Sequence, residues 1–297
     1  MNTPLVFDRS LLRRRLSRAL SQGYADFLLT RVVEDLEERL STVVRSFPLA
    51  LDVGTPTAAA VEALRRSGRA EEVVRLSPVP EPGNIMGDEE RLPFAGGQFD
   101  LAISVLALQG VNDLPGALVQ IRRALKPDGL FIAALLGGAT LTELRQSFTQ
   151  AEAELEGGVS PRVAPFADLR DIGGLLQRAG FALPVTDSEA LRVRYATPFA
   201  LMQDLRRMGL TNALNDRRKA PLRRATLMRA AEIYAERFAD PDGRIPATFE
   251  IVWLSGWTPH ESQQKPLRPG SAKMRLADAL GVKEGETPPS PEDGQSS

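Results

Sequence analysis

Apolar residues along this chain follow two rhythms. From residue 8 to 46 they recur at helical spacing, with Leu28, Val32, Val33, Leu36 and Leu40 on one stripe, which predicts one or two helices. After Pro48 the pattern shortens into unbroken apolar runs. LALDVG, over residues 49–54, ends in Asp52 and Gly54 and reads as a buried parallel strand entering a turn. Next come a helix over Thr57–Ser67, a strand over Glu72–Leu76 and a run from Phe99 to Leu108. A helix over Leu114–Leu125 then meets KPDG, where Pro127 and Gly129 stop it, and a strand starts at Leu130. Strands alternating with helices in this way predict an α/β fold with a doubly wound, mostly parallel sheet. Ligands on such sheets bind beyond the carboxyl ends of the strands, at the switch in strand order. The loops after Asp52, Leu76, Met86 and Leu106 therefore frame the expected site.

The rhythm changes after Gly158. Residues 166–179 and 198–208 read as helices with a short strand at Leu191–Tyr195 between them, and Leu222–Phe238 reads as an arginine-bearing helix. TFEIVWLSGW, Thr248–Trp257, is the strongest late strand and is expected at the antiparallel edge of the sheet. From Val282 onward glycine, proline, glutamate and serine dominate, a composition too polar to repay ordering, so a disordered tail is expected over 282–297.

Composition narrows the chemistry more than it suggests any. The chain has no cysteine and one histidine, His260. Thiolate metal sites, disulfides and cysteine nucleophiles are excluded, and a serine–histidine triad or a two-histidine iron site has almost nothing to be built from. No metal site is expected. With 37 basic and 38 acidic residues, the formal charge of −1 gives no overall drive toward nucleic acid. No apolar run reaches the roughly 18 residues of a membrane-spanning helix. The arginines of LLRRRLSRAL resemble a transit peptide, but Asp26, Glu34, Asp35, Glu37 and Glu38 continue the same stretch as an amphipathic helix. A cytoplasmic location is the resulting expectation.

The candidate site residues follow from the turns. Gly54 ends the first strand, where a Cβ would keep a nucleotide from packing on the backbone. Asp52 can bond a ligand amine there, or cap the next helix. In GDEERLPF, Asp88 and Glu89 are placed to accept an adenine amine, or form a solvated acidic turn. Asp100 reads as a structural turn contact, Asp113 as a helix cap with Pro115 in the first turn, and His260 as a surface residue or a lone general base. The arginines of LRRMGL and DRRKAPLRR read as a solvated helix face or as contacts to an acidic partner.

FDRSLLRRRLSRA, GDEERLPF, FDLAIS, VNDLPGAL, QIRRALKPDGLFIAALLGGATLTELR, EGGVSPRVAPFADLRDIGGLLQRAGF and ATFEIVWLSGWTPHESQQKPLRPGSA occur in this order. Together they resemble a family of respiratory complex I assembly factors with a methyltransferase fold, found in mitochondria and alphaproteobacteria. The resemblance runs from about Phe7 to Ala272, and its GGVSP and GWTPHESQ segments are not general methyltransferase features. It implies a seven-stranded class I methyltransferase sheet binding S-adenosylmethionine. It further implies a protein substrate, with an iron–sulfur subunit of complex I as the candidate. In mitochondrial members the reaction is hydroxylation of an arginine. The expected division is an N-terminal helical segment 1–46, a methyltransferase-fold domain 47–260 with a helical insertion at about 198–240, an extension 261–281 and the tail.

Asp52, Gly54, Thr55, Ser77, Asp88, Glu89 and Leu106 are the expected cofactor contacts, and no catalytic residue is assigned. Three positions depart from the family pattern. Thr55, Pro56, Thr57 and Ala58 stand in the glycine-rich turn, Ser77 stands where an acidic residue holds the ribose, and Leu108, Gln109 and Gly110 replace leucine–histidine–tryptophan. Three readings therefore stand side by side: an S-adenosylmethionine-dependent enzyme acting on a protein, an arginine hydroxylase, and a non-catalytic assembly factor with a degenerate pocket. A nicotinamide dehydrogenase is disfavoured, because the G-x-G-x-x-G turn is missing.

Overall fold

The computed structural model describes residues 5–166 and 169–263. The expected tail lies outside the described residues. The described residues up to His260 pack as one compact unit, to which the following description is confined.

Helices α1 (Arg9–Ser21) and α2 (Phe27–Ser41) form the N-terminal segment. They are two rather than one because Gly23 takes a left-handed φ of 89° between them. The sheet strands are β1 (Phe47–Val53), β2 (Ala70–Ser77), β3 (Ile85–Met86), β4 (Phe99–Val105), β5 (Leu125–Leu136), β6 (Ala182–Tyr195) and β7 (Ile245–Trp257). Between them lie α3 (Ala59–Arg66), α4 (Leu114–Ala124), α5 (Thr142–Leu155), α6 (Leu169–Ala179), α7 (Pro198–Arg207) and α8 (Arg224–Phe238). The strand order is β3-β2-β1-β4-β5-β7-β6. β7 runs antiparallel to both its neighbours, and the other pairings are parallel.

Alternation along the central strands explains the layers. Ala50, Leu101, Ile103, Ile132 and Ala134 face α2, α3, α5, α7 and α8, while Leu51, Ala102, Phe131, Ala133 and Leu135 face α4 and α6. A parallel sheet buried on both faces needs apolar side chains at every position, which is why these strands read as unbroken runs. Asp113 caps α4 as its sequence predicts, accepting from the Gly116 N–H at 2.8 Å. Asp100 is likewise structural. It accepts from the Leu49 N–H at 3.0 Å and pairs with Lys126 at 2.9 Å.

The late strands differ from expectation. β7 is not the edge: both its faces are buried, and it pairs with β5 on one side and β6 on the other. The edge strand is β6, with 14 residues rather than five. Its alternating exposure gives only every second position an apolar neighbour, so most of it reads as polar chain. β4 stops at Val105 because Leu106 turns into the left-handed region, with φ 53°.

α7 and α8 lie between β6 and β7 and pack onto the same face as α5. Tyr234 of α8 is fully buried, and its hydroxyl donates to the Pro246 carbonyl at the start of β7 at 2.7 Å. Tyr234→Phe is expected to lower stability by about 1–2 kcal/mol, since a buried acceptor loses its donor. A urea titration should show a lower midpoint with an unchanged slope.

Candidate functional site

The carboxyl ends of β1 and β4 sit side by side where the chain order reverses, and the turn after β1 begins with Gly54. Its φ is +77°, and its N–H donates to the Leu76 carbonyl at 2.9 Å. A Cβ at Gly54 would lie 2.6 Å from Glu89 Oε1 and 3.1 Å from the Ala107 Cβ. Glycine is thus required twice here, once for the backbone angle and once for the close approach of Glu89.

Beneath this turn is a buried polar network. Asp52 has no exposed surface and accepts from the Thr55 hydroxyl, and Thr55 Oγ1 in turn accepts the Val105 N–H at 3.1 Å. Arg75, inside β2, reaches Asp52 at 3.6 Å, donates to the Thr55 carbonyl at 2.9 Å and pairs with Glu81. The ends of β1, β2 and β4 are pinned together in this way. Burial pushes the Asp52 carboxyl up to about 7, against the opposing pull of the Thr55 hydroxyl and the Arg75 guanidinium.

Above the turn opens a cavity of about 370 Å³. Gly54, Pro56, Pro78 and Leu106 form its floor, with walls from Leu12, Leu144, Phe148, Met202 and Phe249, so α1, α5, α7 and β7 all contribute. Such a volume suits a small-molecule site. Asp88 and Glu89, just past β3, meet two arginines of α1. Arg9 donates to Asp88 at 3.0 Å, to the Gly110 carbonyl at 3.0 Å and to Glu89, while Arg13 pairs with Asp88. Burial raises the Asp88 carboxyl, but the Glu90 N–H and the two guanidiniums outweigh it and hold it below its ordinary range. On the far wall Arg162 is held by the buried Glu152.

The expected cofactor residues thus occupy different depths. Gly54, Glu89 and Leu106 line the cavity. Asp88 stands at its rim, engaged by arginines. Asp52, Thr55 and Ser77 lie below the floor, buried, and Ser77 Oγ accepts the Val79 N–H at 3.2 Å. His260 is exposed beyond β7. Several arginines expected on a solvated face make internal pairs instead, Arg217 with Asp8 and Arg218 with Glu156.

Sequence reasoning missed Arg9, Arg13 and Arg75. The first two are four apart on one helix face and so point the same way, which was a usable signal. Arg75 interrupts an otherwise apolar parallel strand, and a charge there demands a buried partner.

The residues fit an adenosyl group on one side. Gly54 permits close approach, Pro78 and Leu106 offer apolar surface, and Gln109 Oε1 is a buried acceptor on the cavity wall with no donor among the described residues. On the ribose side they fit less well, since β2 ends in Ser77 with no acidic side chain there, and the Ser77 hydroxyl serves the backbone.

Comparison with known proteins agrees with this architecture. Residues 51–133 match the family described as "Methyltransferase domain". The arginine-hydroxylase NDUFAF5, mitochondrial, of Danio rerio is 42% identical over 287 residues, covering 92% of this chain and 89% of that protein. The Homo sapiens protein of the same name is 41% identical over 286 residues, covering 92% and 83%. A malonyl-[acyl-carrier protein] O-methyltransferase of Halorhodospira halophila is 34% identical over 265 residues, covering 84% and 88%. Among solved structures, the YcgJ protein of Bacillus subtilis superposes with a TM-score of 0.51 at 14% identity, over 77% of this chain and 98% of that one, a likeness of fold alone. The expected cytoplasmic location is overturned, because the NDUFAF5 relatives are mitochondrial proteins. Acidic residues in the N-terminal helices argue about the helices, not about the compartment. Among the described residues no helix is long and apolar enough to cross a membrane.

The buried carboxylate gives the site a pH signature. Below about pH 4 Asp52 is protonated whether folded or unfolded, and from there to about 7 only the folded state keeps the proton. Its contribution to stability is therefore complete at low pH and is lost as pH rises through 7. Replacing it with the isosteric amide, Asp52→Asn, should remove this slope. The difference between the two stability curves should reach on the order of a few kcal/mol in chemical denaturation between pH 4 and 8.

Proposed function

This chain belongs to the family of the NDUFAF5 arginine hydroxylases, and from that premise we propose that it acts on a protein substrate in the assembly of respiratory complex I, through a crevice that binds S-adenosylmethionine weakly. The observation that carries this reading is the crevice itself. A left-handed glycine turn at the β1–β4 switch opens onto an apolar cavity of about 370 Å³ beside an acidic pair. That is the place where α/β sheets take nucleotides.

In this reading Gly54 lets the ligand approach the backbone, while Leu106 and Pro78 flank the adenine. Glu89, which lines the cavity, would accept the exocyclic amine, with Asp88 next to it at the rim. Asp52 and Thr55 hold the turn from below and touch no ligand. When bound, S-adenosylmethionine supplies an electrophilic methyl group. The chain's own contribution is alignment and exclusion of water, which α1 provides by lying across the cavity.

Weak binding follows from two features. The carboxylate that would clamp the ribose hydroxyls is replaced by Ser77, a loss of roughly 1.5–3 kcal/mol for charged hydrogen bonds, or about tenfold or more in affinity. In addition, Asp88 and Glu89 already carry Arg9 and Arg13, so an incoming amine competes with charges in place.

Calorimetric titration tests this. S-Adenosylmethionine should bind with a dissociation constant in the high-micromolar to millimolar range, and Ser77→Asp should tighten it about tenfold. No heat from either protein at millimolar ligand would leave a docking platform as the reading. Low-micromolar binding by the unaltered chain would refute the argument from the ribose clamp.

A further inference from the structure

One wall of the cavity is built from two stretches of chain, residues 7–25 and 206–224, whose Leu12, Leu16, Met208 and Leu222 face inward. The stretches are joined directly. The Asp8 N–H donates to the Ala213 carbonyl at 2.9 Å, the Ala25 N–H to the Arg207 carbonyl at 3.3 Å, and the Arg15 guanidinium to the Thr211 carbonyl at 2.6 Å. Charge is segregated onto this wall. It holds 12 of the chain's 37 basic residues and 2 of its 38 acidic ones, so over the rest of the chain acidic residues outnumber basic ones by 36 to 25.

Half of these cations are answered within the fold. Arg9 and Arg13 meet Asp88 and Glu89, Arg217 meets Asp8, Arg207 meets Asp204 at 3.7 Å, and Arg218 and Arg223 share Glu156. The other six, Arg14, Arg15, Arg18, Arg206, Lys219 and Arg224, pair with no carboxylate among the described residues, and all but Arg15 are exposed. Arg206 also lines the cavity, so an unpaired guanidinium stands where the cavity meets solvent. Arg15 registers the crowding. Burial, and then the charges of Arg217, Arg18 and Arg14, hold its guanidinium below its ordinary value against the pull of Asp8. Like charges gathered in this way repel one another, and an anionic partner relieves the repulsion.

We infer that the outer face of this wall docks an acidic segment of the protein substrate, with Arg206 taking the carboxylate nearest the side chain that enters the cavity. The inference rests on the reading above for a protein substrate and adds which sequence surroundings that substrate offers. Five of the six unpaired cations are arginines, whose forked donors match the two oxygens of a carboxylate. A nucleic acid fits the wall less well. Phe7 and Tyr24 are its only aromatic residues and neither is exposed, which leaves no platform for stacked bases. An extended anionic surface such as a membrane also meets the acidic excess of the remaining chain, whereas a short acidic segment stays within the wall.

Fluorescence anisotropy on the full chain tests this, using a short labelled peptide rich in glutamate and a companion with glutamine at the same positions. The glutamate peptide should bind about tenfold more tightly, and raising the salt from about 0.05 to about 0.5 M should remove most of the difference. Arg206→Gln should weaken the glutamate peptide several-fold, and Arg14→Gln with Arg18→Gln should weaken it further, with the glutamine peptide unchanged. The same exchange at Arg178, exposed on α6 across the sheet, should alter neither peptide. Salt dependence of the unaltered chain reads the same surface with no substitution at all. Equal binding of the two peptides, or an equal loss from Arg178→Gln, overturns the inference. So does tighter binding to phosphatidylserine vesicles or to a single-stranded oligonucleotide than to the glutamate peptide, which would give the wall to a lipid surface or a nucleic acid instead. Titrating the same protein with S-adenosylmethionine separates the two proposals. Cofactor heat without glutamate preference sinks this one alone, and glutamate preference without cofactor heat sinks only the cofactor reading.

Discussion

The turn after β1 depends on a carboxylate held away from water. Asp52 binds the Thr55 hydroxyl, Thr55 binds the Val105 N–H, and Arg75 spans from Asp52 to the Thr55 carbonyl. Three strand ends are fixed by one buried network, and the cavity floor is the upper surface of that network. The arrangement has a cost, because burial drives the Asp52 carboxyl toward its neutral form. Pairing limits that cost without removing it, since Asp52 Oδ2 and Arg75 Nε face each other at 3.6 Å and neither makes a hydrogen bond.

Above the floor, most of the charge is paired internally. The acidic pair after β3 faces two arginines from α1, and the arginine on the opposite wall faces Glu152. The lining is therefore mostly apolar in effect, although ionised groups stand in it. A ligand that enters must either leave these pairs intact or replace one member with an equivalent charge, since breaking a largely buried pair is far more expensive than exchanging it. This constraint bears on the role of α1. α1 has Ala19 as its only buried residue. It is held chiefly by polar contacts, and so belongs to the site more than to the core.

Family membership and fold agree, yet they bear on different things. The sheet order and the glycine turn belong to a widespread architecture, which does not by itself assign a reaction. The residues in the cavity are what single out this site: Gln109 presents a buried acceptor on its wall, and Arg9 closes on Glu89.

The sequence alone determined the parallel core, because strands buried on both faces must be apolar at each position, and LALDVG, FDLAIS and LFIAALL have no alternative environment. It also determined the α4 cap at Asp113 and the need for glycine at residue 54. It could not place β6, whose alternating polar residues lack a distinctive run, nor decide that β7 lies inside the sheet rather than at its edge. Above all it could not show which carboxylates face the cavity. Asp52 and Glu89 are both acidic residues near a strand end, but one lies beneath the floor and the other projects above it. Only the three-dimensional packing brings Arg9 to Glu89 across 80 residues of chain, with Arg75 beside Asp52 in the neighbouring strand. Short-range pattern records which side chains avoid water, whereas the pairing of charges is set by contacts between distant segments that pattern does not encode.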